Sequence, residues 1–65
     1  MIHASKKLVE FINSQNSIED FADKLGVTRQ TVYNILNQEM ISSEIIAKII
    51  NETGMDFEKA FDINE

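Results

Sequence analysis

Apolar side chains return along this chain at intervals of three and four, the spacing at which they share one face of an α-helix. Leu8, Phe11 and Ile12 form the first such group and predict a helix from about Ala4 to Asn13, with Lys6, Lys7 and Glu10 turned outward. Asn13 to Asn16 reads as a loop. Ile18, Phe21, Ala22 and Leu25 fall at i, i+3, i+4 and i+7 and predict a second helix over 18–25. Ser17 is its N-cap, and Asp20 three positions on makes a short-armed capping box. Gly26 stands where helices commonly close on a left-handed residue, so a sharp turn is predicted over 26–28.

Thr28 then caps a third helix, Arg29 to about Asn37. Val27, just before the cap, is spaced to pack on Val32 and so to set the angle at which the chain enters the helix. Val32, Ile35 and Leu36 make its inward side. Arg29, Gln30, Tyr33, Asn34 and Asn37 are left as an outward stripe, nearly all of it hydrogen-bonding groups. Gln38 to Ser42 reads as a loop and Ser43 as the cap of a fourth helix. That helix has Ile45, Ile46, Ile49 and Ile50 inward and ends at Gly54. Asp56 caps a short fifth helix whose Phe57, Ala60 and Phe61 close the core. Asp62 to Glu65 is too short for a further element and is expected to fray. The expected fold class is all-α, one five-helix domain over residues 1–65.

Composition narrows what such a domain does. Sixty-five residues leave no room for a second domain or a deep pocket, so a surface function is expected. There is no proline, and glycine occurs twice, which supports helix throughout. Without cysteine there is no disulfide framework and no Cys-type zinc site, and the single histidine, His3, has no metal-binding partner at useful spacing. A cytoplasmic protein without metal or other cofactor is expected. Neither a membrane span nor the basic-then-apolar order of a signal peptide is visible. Glu19, Asp20 and Asp23 resemble a carboxylate cluster, but acids on a first helical turn complement the helix dipole, and nothing beside them would hold a substrate. Catalysis is not expected.

Phe21-Ala22, Leu25-Gly26-Val27-Thr28, Thr31-Val32, Lys48-Ile49 and Gly54-Met55-Asp56-Phe57 together resemble the Cro/C1-type helix-turn-helix family of phage and bacterial regulators, over nearly the whole chain. The resemblance implies a regulator of transcription from a phage or mobile-element switch, whose third helix enters the major groove of operator DNA, often as a homodimer on a palindromic site. Carried onto this chain, the family's base-reading positions fall on Arg29, Gln30, Thr31 and Asn34. Arg suits a guanine edge and Gln or Asn an adenine edge. Thr28, Tyr33 and Asn37 complete the expected DNA-facing set.

Charge opens a second reading. The chain carries eleven Asp and Glu against six Lys and Arg, a net charge of −5. From Asn16 to Glu44, Lys24 and Arg29 stand against Glu19, Asp20, Asp23, Glu39 and Glu44, two cations against five acids. Ile18 occupies a position where many members of the family place a phosphate-contacting glutamine, and the loop after the third helix carries Glu39, Met40 and Ile41 where the family is often basic. Phosphate contacts supply most non-specific affinity, and such a face has few to offer. An acidic anti-repressor that keeps the fold but binds the basic face of a partner repressor is the alternative. Ile18, Glu19, Asp20, Asp23, Met40 and Ile41 would be its contact surface.

Overall fold

The computed structural model describes residues 1–63. In chain order the elements are β1 (Ile2–Ala4), α1 (Lys6–Asn13), α2 (Ile18–Leu25), α3 (Arg29–Leu36), α4 (Ser43–Thr53), α5 (Phe57–Ala60) and β2 (Phe61–Ile63). All the expected helices form. The five-helix fold class holds, and a small sheet that the periodicity did not predict is added to it: β1 and β2 pair antiparallel, with Ile2 opposite Ile63, His3 opposite Asp62 and Ala4 opposite Phe61. Asp62 and Ile63 are thus ladder residues and not a frayed end; Asn64 and Glu65, the rest of that expectation, lie outside the described residues.

Local hydrogen bonds set the helix limits. Helix α1 starts at Lys6 and not Ala4, because Ser5 is the cap: its Oγ accepts from the Leu8 amide at 3.2 Å and donates to the Lys59 carbonyl of α5. Ser17 Oγ accepts from the Asp20 amide at 3.0 Å, which bears out the N-cap, but the Asp20 side chain makes no return bond to the Ser17 amide, so the expected capping box is only half formed. At α4 the cap is Ser42, one residue before the expected Ser43, with Oγ 3.4 Å from the Ile45 amide. Asp56 holds the N-cap position of α5 but makes no side-chain cap bond; its backbone carbonyl accepts from Lys59 and Ala60.

Helices α2 and α3 end in the same chain reversal with different residues at its centre. After α2, the Gly26 amide donates to the Asp23 carbonyl at 3.1 Å and the Val27 amide to the Ala22 carbonyl at 3.0 Å, with Gly26 left-handed at φ 75°. After α3, the Gln38 amide donates to Ile35 at 3.2 Å and the Glu39 amide to Asn34 at 3.1 Å, with Gln38 left-handed at φ 66°. A side chain in that region carries a backbone penalty that glycine avoids. A Cβ on Gly26 would meet nothing within 4 Å, so Gly26→Ala is expected to cost only that conformational penalty, about 1 to 2 kcal/mol, read as a lower urea midpoint at unchanged slope. A larger loss would mean a steric clash that the structure does not contain.

The core runs through every element. Leu8, Ile12, Phe21, Val32 and Ile49 are its fully buried large side chains, with Ala22, Leu25, Ile35, Ile46, Ala60 and Phe61 around them. Phe11 meets Phe21 edge-on with ring centroids 6.2 Å apart, and Phe57 lies 5.3 Å from Phe61. Ile18, Val27, Leu36, Ile45 and Ile50 are half-buried against this cluster. The apolar sides of α2 and α3 are therefore both consumed by the interior, and their opposite sides are held rigidly outward.

Candidate nucleic-acid interface

The outward side of α3 is built from its first residue. Thr28 caps the helix, its Oγ1 3.2 Å from the Thr31 amide and 3.1 Å from the Thr31 hydroxyl, so the two hydroxyls already serve each other. Val32 and Ile35 are buried, which fixes the rotation of the helix about its axis. Arg29, Gln30, Tyr33 and Asn37 are consequently exposed, Tyr33 to 46%, while Thr31 and Asn34 are half-buried toward α4. Asn37 is the C-cap rather than the last helical residue. A cleft of about 150 Å³ runs along this border, lined by Thr31, Asn34, Met40, Ile41, Ser42 and Ile45.

Gln30, Asn34 and Glu39 form a hydrogen-bonded chain along the edge of the helix. The side-chain amides of Gln30 and Asn34 meet at 2.8 Å, and the same Asn34 atom lies 2.8 Å from Glu39 Oε2 and 3.2 Å from the Gln30 carbonyl. An oxygen there would face acceptors on two sides, including a carboxylate. We therefore assign the Asn34 NH2 to this position, donating to Glu39; because Gln30 Nε2 is the atom that meets it at 2.8 Å, the assignment requires the Gln30 amide to turn too, so that its oxygen accepts. Sequence reasoning missed this contact. Glu39 lies five residues beyond Asn34, past the end of the helix, where no periodicity brings side chains together; the left-handed turn at Gln38 does it instead.

The loop behind Glu39 is anchored by the ribbon. The Ile41 amide donates to the Ile2 carbonyl at 3.0 Å, and the His3 ring donates from Nδ1 to the Gln38 carbonyl. Ile41, 6% exposed, belongs to the core. This corrects its place among the surface anchors. Met40 beside it is 67% exposed. Ile18 is half-buried and completes the apolar stripe of α2, whereas Glu19, Asp20 and Asp23 are fully outward on the same helix.

A tight glycine reversal thus joins two core-packed helices, the second presenting a polar face. The helix-turn-helix family model matches residues 6–59, from the first residue of α1 into α5. The chain belongs to the Cro/C1-type helix-turn-helix family. No curated protein and no solved structure shows detectable similarity to it. A helix-turn-helix domain of this family is a DNA-binding regulator of transcription in kind, and such domains often work as dimers. Within this domain α2 and α3 are the two helices joined by the Gly26 reversal. Among the described residues no helix is long and apolar enough to cross a membrane.

Proposed function

We propose that this domain is a small cytoplasmic regulator of a phage or mobile-element switch that binds operator DNA with α3 in the major groove, as one half of a two-fold dimer. The observation that carries the reading is the rigid outward stripe of α3, whose opposite side is wholly committed to the core. Arg29 at the first turn suits a guanine edge, and the Gln30–Asn34 pair suits adenine. Thr31 lies at the margin of the stripe toward α4, and Thr28, Tyr33 and Asn37 flank it. The helix N-termini capped by Ser17, Thr28 and Ser42 offer backbone amides toward phosphates, which supplements the sparse cations.

A gel shift with the DNA flanking the protein's own gene tests this directly. Gln30→Ala is expected to weaken binding to the specific site by about 1 to 3 kcal/mol while leaving non-specific DNA unaffected. Equal weakening on both DNAs would contradict a base contact. A second reading, the anti-repressor, is favoured by one observation: the apolar Met40 is exposed on the side of the molecule where Asn16 to Glu44 carry two cations and five acids. Its partner would be a basic repressor surface, met by Glu19, Asp20 and Asp23 with Met40 as anchor and Ile18 at the margin.

A further inference from the structure

We infer that Glu39 is a specificity-determining residue: it fixes the polarity of the Gln30–Asn34 amide pair and makes that pair a reader of adenine that rejects guanine. The inference rests on the DNA-binding reading above. Its structural basis is the contact of the Asn34 amide nitrogen with Glu39 Oε2 at 2.8 Å, and the backbone bond from the Glu39 amide to the Asn34 carbonyl at 3.1 Å that holds the acid in place. An ionised carboxylate has only acceptors to offer, so the Asn34 NH2 must face it. Asn34 Oδ1 is then turned away from Glu39 as an acceptor. Gln30 Nε2 meets the same Asn34 atom at 2.8 Å, so with the Asn34 NH2 placed there the Gln30 amide has to turn as well and accept through its oxygen, and that turn leaves the Gln30 NH2 as the free donor.

One donor from Gln30 and one acceptor from Asn34 match the adenine N7 acceptor and N6 amino group in the major groove. Guanine presents two acceptors there, N7 and O6, so the Asn34 oxygen would oppose O6. A free asparagine could rotate its amide to donate instead. This one cannot without setting its oxygen against the Glu39 carboxylate. An acid at a DNA-facing loop, a handicap for phosphate attraction, is on this account retained for what it does to its neighbour. Glutamine at the same position would present either a donor or an acceptor and would let both polarities coexist.

The test compares the parent protein with Glu39→Gln in selections from a randomised duplex DNA library, alongside NMR of the Asn and Gln side-chain amides. The parent is expected to prefer adenine over guanine at one position of each half-site by roughly tenfold or more, and Glu39→Gln to bring that ratio near unity while other positions keep their preferences. Non-specific affinity should rise in the variant as a negative charge is lost. In the spectra, the Asn34 NH2 resonances of the parent should move on substitution, with those of Gln30 following. An unchanged adenine preference in a variant that binds its site, or unmoved Asn34 resonances, would overturn the inference while leaving DNA binding intact. A parent that enriches no sequence at low salt would instead bring down the DNA reading itself, and the inference with it.

Discussion

Phe21→Ala is expected to destabilise the domain by about 3 to 5 kcal/mol, a loss comparable to the whole stability of a chain this short. The ring is completely buried at the centre of the cluster and meets Phe11 edge-on, so truncation removes both transfer free energy and an aromatic contact, and leaves a cavity. It also sits on α2, whose exit turn sets the position of α3. The variant should therefore lose its cooperative thermal transition at 25 °C or melt far below the parent. A midpoint within a few degrees of the parent's would show that this site relaxes in a way the packing does not suggest.

The second large effect decides between the two functional readings by charge. Replacing Glu19, Asp20 and Asp23 by Lys turns the outward side of α2 from acidic to basic. If the protein acts on DNA, each new phosphate contact adds about 0.9 to the salt slope, so three would add roughly forty-fold to the affinity lost between 50 and 200 mM salt, on top of tighter binding at low salt. If it acts on a basic repressor, the same change should abolish association by reversing the field. The outcomes have opposite signs. The substitution leaves the cap in place, because Ser17 Oγ accepts from the Asp20 backbone amide and not from its side chain. What it does cost is the favourable charge in the first turn, about 0.3 to 1 kcal/mol per group, and a melting curve shows whether the domain tolerates that. Unaltered DNA binding together with loss of a repressor partner would leave the anti-repressor standing.

The helices were legible because their boundaries are written in residues with a single strong local preference. Ser17, Gly26, Thr28 and Gly54 each hold the cap position that their chemistry favours. The outward stripe of α3 was legible for a related reason: once Val32 and Ile35 are inside, the 3.6-residue period puts Arg29, Gln30 and Tyr33 outside. What escaped had no local cause. Two strands of three residues, separated by the entire helical body, carry neither a hairpin turn nor an alternating run long enough to notice. Adjacent serines at 42 and 43 left the start of α4 uncertain by one residue. Gln38 takes a conformation usually given to glycine, so nothing announced the reversal that carries Glu39 back to Asn34. Met40 and Ile41 are neighbours of similar hydrophobicity, and only the bond from the Ile41 amide to Ile2 shows which one turns inward.

That bond gives the ribbon a consequence beyond closing the fold. Bringing together segments some sixty residues apart costs chain entropy of about 3 to 4 kcal/mol, more than two three-residue strands can return by pairing alone. The ribbon exists because the packed helices have already met most of that cost and because Ala4 and Phe61 are buried on their surface. The loop carrying Glu39 hangs from the ribbon at Ile2 and His3, and so borrows its order from the same packing. Loosening Ala4 or Phe61 thus reaches Glu39 through Ile2 and Ile41, and a substitution at the far end of the chain can blur base discrimination with every residue of α3 unchanged.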